Sequence, residues 1–159
     1  MKSFHYDYLG HHPEHIATIA RWHQDEWHRL SPELTTQLRI DLYSSYQSRP
    51  GVPSCILALN DDRVAGSASL VYSDMDTHTH LSPWLASVLV HPEFRNQGVA
   101  TQLLKICADN AAQSGFKTLY LFTPDQKDFY LKRGWKLFES TEYRGEKVDI
   151  MSLELTANL

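Results

Sequence analysis

The sequence predicts an α/β (α+β) fold, one sheet with helices packed on it, and three observations carry that expectation. Segments in which apolar residues alternate at period two interleave with segments in which they recur every three or four residues. Two nearly continuous apolar runs, residues 84–90 and 118–122, bracket one amphipathic stretch, the pattern of a right-handed strand–helix–strand crossover. The chain has 159 residues, 42% of them hydrophobic, with no internal repeat and no linker-like tract, so it reads as a single domain over 1–159.

The elements follow in order. A first strand is expected over 4–9, where Phe4, Tyr6 and Tyr8 alternate with His5 and Asp7. Pro13 suits a first helical position, and Ile16, Ile19, Ala20, His23, Trp27 and Leu30 then form one apolar stripe. Ser31 and Pro32 read as the N-cap and first-turn proline of a second helix, in which Leu34, Leu38, Leu42 and Tyr46 step by four until Pro50, Gly51 and Pro53 end it. Residues 55–59 and 64–72 make a hairpin around a polar turn, and a polar loop over 73–83 follows. Residues 84–90 are the clearest strand, apolar enough for a central place covered on both faces, and His91 and Pro92 stop it. A helix over 98–114 has Val99, Leu103, Ile106 and Cys107 on one face and Gly115 as its C-terminal cap. After the strand at 118–122, a short helix over 126–133 starts at an Asp125 cap, and strands at 135–140 and 147–155 complete the chain.

Composition excludes several classes. Fifteen Lys and Arg against nineteen Asp and Glu give a formal charge of −4, with no basic run to neutralise a row of phosphates, so nucleic acid is not an expected partner. No stretch approaches the ~18 apolar residues of a membrane span, and MKSFHYDYLG lacks the apolar core of a signal peptide. Cys55 and Cys107 have apolar neighbours and read as buried thiols, which fits a cytoplasmic setting without membrane partners.

The most informative stretch is VLVHPEFRNQGVATQLL, residues 88–104, where a buried strand passes through a polar turn with one glycine into a helix. Gly98 permits close approach to the backbone, and the free N–H groups of Gln97 to Ala100 at the positive end of the helix dipole suit an anion. Arg95 adds a cation, Ala100 keeps the first turn small, and Thr101 offers a hydroxyl. Neither G-x-x-x-x-G-K-[ST] nor G-x-G-x-x-G occurs, which argues against a P-loop hydrolase and a dinucleotide fold.

These residues resemble the GNAT superfamily of acyl-CoA-dependent N-acetyltransferases. HPEFRNQGVATQLLK stands in place of the family's V-x-P-x-x-[RQ]-x-x-G-x-[GA] stretch, TLYLFT follows, and DFYLKRGW stands in place of its Y-x-x-x-G-[FW]. The resemblance implies a GNAT-like central mixed, mostly antiparallel sheet of about six to seven strands with about four helices, its central strand splayed from the strand at 118–122 to leave a cofactor cleft. It implies that Leu89 and Val90 lend backbone groups to the pantetheine arm of acetyl-CoA, and that Arg95, Asn96, Gln97, Gly98, Val99, Ala100 and Thr101 wrap its pyrophosphate. Tyr130, four residues before Gly134, matches the tyrosine that protonates the departing thiolate.

Acetyl transfer to an amine needs a neutral nucleophile, a polarised carbonyl and a proton for sulfur. A backbone N–H near Val90 serves the carbonyl and Tyr130 the sulfur, as the resemblance implies. For the base the sequence departs from the family, because WLASVLV holds no ionisable side chain where many relatives carry Glu. Ordered water, His78, His80 and Asp76 are the alternatives. Thr123 likewise stands where many relatives carry Asn. The acceptor is expected to be a small-molecule or peptide or protein primary amine, met by Glu26, Trp27, Tyr43 and Tyr143, with Asp25, Glu26, Asp74 and Asp76 attracting a cation. A non-catalytic acyl-CoA-binding regulatory module of the same fold is the alternative, and a homodimer is left open. The run His11, His12, Pro13, Glu14, His15 has the order of an inverted zinc-protease motif, but Pro13 sits inside the helix that motif requires, so no metal is expected.

Overall fold

The computed structural model describes residues 2–156. Its strands are β1 (His5–Tyr8), β2 (Ser54–Asn60), β3 (Arg63–Val71), β4 (Trp84–Val90), β5 (Thr118–Thr123), β6 (Lys136–Tyr143) and β7 (Glu146–Glu154). Its helices are α1 (Ile16–Trp27), α2 (Thr36–Ser44), α3 (Val99–Gln113) and α4 (Lys127–Leu131). The strands form one seven-stranded sheet in the order β1-β2-β3-β4-β5-β7-β6. Every neighbour pair is antiparallel except β4 and β5, which are parallel. This is the mixed, mostly antiparallel sheet with four helices that the sequence led us to expect.

Period-two alternation explains how both faces are covered. Ile56 and Ala58 of β2 pack with Val99, Leu103 and Cys107 of α3, while Cys55, Leu57 and Leu59 pack with Ile16, Ile19 and Ala20 of α1. A strand buried on both sides has no polar face to show, hence the unbroken apolar run. Both cysteines are buried free thiols.

The centre of the sheet is where the strands part. β4 is fourth of seven, yet only its first half is enclosed: Trp84, Leu85 and Ala86 are buried and Ser87 to Val90 are half-exposed. Coverage on both faces therefore holds for Trp84 to Ala86 and not beyond. The cause is a bulge. Ser67 pairs with Leu89 and Ser69 with Ala86, so Ser87 and Val88 together oppose Ala68, and Ser87 takes a positive φ of 55°. β4 meets β5 only at Trp84 and Tyr120, joined by the Tyr120 N–H donating to the Pro83 carbonyl at 3.1 Å. Beyond that point the two strands separate and a cleft opens between them.

Several local expectations are corrected. Pro13 opens a single 3-10 turn, Pro13–His15, and α1 begins only at Ile16. The run His11–His15 is split between two such turns, with His11 and His12 both on the Asp7 carboxylate at 2.8 and 2.9 Å. α2 starts at Thr36, capped by the Thr35 hydroxyl accepting from the Leu38 N–H at 3.1 Å, not at Ser31 and Pro32. Its stepping leucines face solvent, with Leu38 48% and Leu42 42% exposed, while Arg39 and Tyr43 point inward. The leucine spacing points to the wrong face because the buried one carries an arginine. Asp125 does not cap α4; the Thr123 hydroxyl accepts from the N–H groups of Asp125 and Gln126 at 3.4 and 3.0 Å.

Candidate active site

A cleft of about 1030 Å³ runs between β4 and β5 and is closed at its sides by α1, α2 and the β6–β7 turn. At one end lies the start of α3. Asn96 and Gly98 have positive φ of 61° and 82°, and the chain curls so that the N–H groups of Asn96, Gln97, Gly98, Val99, Ala100 and Thr101 meet no acceptor among the described residues. The Val99 side chain is buried against Leu103 and anchors the turn, while Asn96, Gln97 and Gly98 are exposed. A Cβ added at Gly98 would touch nothing within 4 Å, so the glycine is required by φ and by the space left above it. A ring of unpaired amides at a helix N-terminus favours an anion.

Two arginines flank this ring. Arg95 folds back, its Nε donating to the Val90 carbonyl at 3.0 Å, so of the Leu89 and Val90 backbone groups expected to serve a ligand that carbonyl is already engaged. Arg133, which sequence reading passed over, lies over the Phe129 ring at 3.6 Å and donates through Nε to the Thr101 hydroxyl at 3.0 Å. The signal for it was its place three residues after Tyr130, on the same side of a helical turn.

Tyr130 is 8% exposed, packed edge-on to Phe129 and Trp135, and its hydroxyl makes no hydrogen bond among the described residues while lining the cleft. Burial pushes the phenol up to about 12, against the partial opposing pull of Arg133, so it is protonated throughout the neutral range.

The other end of the cleft is built around a buried polar chain. The Ser67 hydroxyl donates to the Ser87 carbonyl at the bulge (3.3 Å), so it accepts from His23 Nε2–H (2.9 Å). His23 Nδ1 then accepts from the Tyr43 hydroxyl (2.8 Å), which in turn accepts from Arg39 Nη1 (3.3 Å). Burial, with the nearby Arg39 charge, drops His23 to about 3, so the ring is neutral in this chain. Arg39 Nε donates to Gln24 at 2.9 Å, and Nη2, buried, has no partner among the described residues.

Arg144 ties the mouth together, donating to the Leu30 carbonyl (2.8 Å), Glu33 (2.7 Å) and Asp76 (2.9 Å). Arg144 thereby holds Asp76 below its usual carboxylate range. Of the expected acceptor residues, Tyr143 is buried with its hydroxyl accepting from the Asp76 N–H at 3.4 Å, and Tyr43 is buried in the polar chain. Trp27 is half-buried against His23, and Glu26 is exposed on the rim. His78 pairs with Glu139 at 3.1 Å, and neither it nor His80 lines the cleft. Asp74 does line it, without a hydrogen bond or ion pair among the described residues, and burial pushes its carboxyl up to about 7 against the opposing charge of Arg39. The Thr123 hydroxyl accepts from the N–H groups of Asp125 and Gln126 in the turn before α4, which leaves its own O–H to donate.

Residues 16–135 match the model of the acetyltransferase (GNAT) family. The chain belongs to the GNAT acetyltransferase family. Among solved structures, the N-acetyltransferase from Staphylococcus aureus Mu50 has the same fold with a TM-score of 0.76 at 15% identity, over 97% of this chain and 99% of that one. The Salmonella typhimurium protein yncA, solved with its cofactor acetyl-CoA, gives 0.73 at 16% identity over 98% and 95%. A GNAT acetyltransferase from Elizabethkingia anophelis with acetyl-CoA bound gives 0.53 at 21% identity over 73% and 81%. Among curated proteins, mouse N-alpha-acetyltransferase 80 is 28% identical over 138 residues, which is 82% of this chain. The GNAT chain described here spans 40% of the length of that relative.

Proposed function

We propose that this GNAT protein moves an acetyl group from acetyl-CoA to a primary amine by direct attack in a ternary complex, with Tyr130 as the general acid. The single observation that carries the reading is the alignment along one cleft of the unpaired amides at the start of α3 and the free Tyr130 hydroxyl. The amides of Asn96 to Thr101 would hold the pyrophosphate, with Arg95 and Arg133 as flanking cations, and the edge of β4 that β5 leaves open would receive the pantetheine arm. Two structural neighbours solved with acetyl-CoA support the choice of co-substrate.

Tyr130 would supply the proton that the leaving sulfur needs. Its raised pKa keeps the proton in place until a thiolate forms beside it. For the acceptor, the likeness to mouse N-alpha-acetyltransferase 80 favours an α-amino group among primary amines. An α-amine, with a pKa of about 7.7 to 8.0, also needs less help in losing its proton than a lysine near about 10.4.

Acceptor-dependent release of CoA thiol, measured beside acetyl-CoA affinity, tests the reading. Tyr130→Phe is expected to lower turnover about 10²-fold and leave affinity nearly unchanged. The absence of any ionisable side chain on β4 favours a second reading, a non-catalytic acyl-CoA-binding module. Tight acetyl-CoA binding with no thiol release across α-amines, lysine side chains and polyamines would establish that second reading in place of the first.

A further inference from the structure

An ammonium must lose a proton before its nitrogen can attack, and β4 offers no side chain to take it. His78 and His80 lie off the cleft, and Asp76 is committed to Arg144. Of the cleft carboxylates without a partner among the described residues, Asp25, Glu26 and Asp125 are exposed and Glu146 is half-buried at the start of β7, whereas Asp74 is half-buried within the field of Arg39. We propose that Asp74 takes the proton from the acceptor amine, beside an Arg39 whose own place is fixed by the Tyr43–His23–Ser67 chain that ends on the β4 bulge. This rests on the transferase reading above.

The geometry supports it from two directions. Asp74, in the connection between β3 and β4, shares the cleft wall with Arg39, Tyr43 and Ser87, so the carboxyl and the bulge open into one space. Asp74 has no hydrogen-bond or ion-pair partner among the described residues, and Arg39 Nη2 is buried without one. Buried guanidinium N–H groups are nearly always satisfied, so a donor left free in a cleft wall implies an acceptor supplied by a ligand, a water or a shifted carboxylate. The hydrogen bonds of the chain all run one way, from Arg39 through Tyr43, His23 and Ser67 to the Ser87 carbonyl, because the Ser67 hydroxyl can give only one proton. Arg39 is therefore a positioning residue, fixed at one end by the strand that flanks the acetyl group.

The groups around Asp74 set its readiness. Arg39, Tyr43 and Tyr46 face it from α2 and its exit, with neutral His23 of α1 behind Tyr43. Asp76 and Glu33 at the mouth are tied to Arg144 of the β6–β7 turn. Burial outweighs Arg39, so the carboxyl titrates at about 7, close to an α-amine.

The step balances. Asp74 takes one proton from the ammonium, and the freed lone pair forms the C–N bond to the acetyl carbon as the C–S bond breaks. Tyr130 gives its phenolic proton to the sulfur, and the second amine proton returns to Tyr130 through cleft water. Asp74 then releases its own proton to solvent.

The test is the pH profile of kcat/KM for the full chain with acetyl-CoA, using the tripeptide Ala-Ala-Ala and, separately, spermidine as acceptors. A rise through about 7 at the same position with both is expected, since it belongs to the enzyme and not to the acceptor. Asp74→Asn is expected to abolish that rise and lower kcat about 10²- to 10³-fold with acetyl-CoA affinity unchanged, and Asp74→Glu to recover part of the rate. Arg39→Met, which removes the cation opposing burial, is expected to move the rise to higher pH. The proposal is overturned if Asp74→Asn keeps the rise, if it raises only KM, or if Arg39→Met leaves the rise in place. A rise that follows the acceptor's own pKa overturns it as well. Tyr130→Phe keeping the rise at lower kcat would leave both readings standing. Acetyl-CoA binding without turnover of either acceptor would overturn both together.

Discussion

The two ends of the cleft are made in opposite ways. At the end formed by α3, six neighbouring residues, Asn96 to Thr101, present their amides from one continuous turn. At the other end, no two groups that matter are neighbours in sequence: Arg39 and Tyr43 come from α2, His23 from α1, Ser67 from β3, Asp74 from the β3–β4 connection and Arg144 from the β6–β7 turn. A site made from backbone amides depends on local conformation, so one glycine and a helix start suffice. A site made from side chains on five elements depends on the packing of the whole sheet. The first kind tolerates divergence of the surrounding sequence; the second is where members of one fold diverge in what they accept.

That contrast can be broken most sharply at Gly98. Gly98→Asp is expected to weaken acetyl-CoA binding by more than about 10²-fold, since it sets bulk and negative charge where the proposed function puts the phosphate. Gly98→Asn, which tolerates positive φ and is neutral, is expected to lose less, and calorimetric titration of the two separates charge from bulk. Equal affinity of wild type and Gly98→Asp would remove the phosphate site from the α3 end.

The next test concerns stability at the other end. His23 titrates at about 6.5 unfolded and about 3 folded, so the unfolded chain binds the extra proton and stability falls as pH drops through that window. Asp74 does the reverse: raised from 3.8 to about 7, it binds a proton on folding, so stability rises as pH drops from 7 towards 3.8. Over the shared range the two slopes oppose each other, each near about 1.4 kcal/mol per pH unit. Asp74→Asn should unmask the His23 slope, seen as a steeper loss of urea midpoint between pH 6.5 and 4 than in wild type. Parallel curves would mean that these two groups are not the ones that titrate there.

A smaller effect is expected at Arg144. Exposed ion pairs contribute little, about 0 to 1 kcal/mol each, so Arg144→Ala should raise KM for the amine by about three- to tenfold through loosening of the β6–β7 turn, with acetyl-CoA affinity unchanged. A change in the acetyl-CoA constant instead would show that the two ends are not independent.

How far the sequence could be read follows the same division. Period-two and helical spacing placed every strand and helix near its observed position, because each depends on neighbours a few residues away. Errors fell where tertiary packing overrules spacing. In α2 the regular Leu38 and Leu42 face solvent while Arg39 and Tyr43 are buried, since the partners they satisfy, Gln24 and His23, lie on another helix. Asp125 does not cap α4 for a similar reason: β5 delivers the Thr123 hydroxyl to the turn before the helix, where it accepts from the Asp125 and Gln126 N–H groups. His23 counted as one apolar-stripe residue in the sequence, and nothing local marks it as the link between Tyr43 and Ser67.

The sequence by itself determined the mixed fold, the glycine turn into α3 and the tyrosine four residues before Gly134, all written within short windows. Only the tertiary structure decided that β4 bulges at Ser87 and parts from β5, that Arg133 joins Thr101, and that Asp74 stands uncommitted beside Arg39. The physical reason is range. Backbone amides and periodic apolar faces are set by torsions within a few residues, whereas burial and charge at a side chain are set by whatever the fold brings against it from elsewhere in the chain.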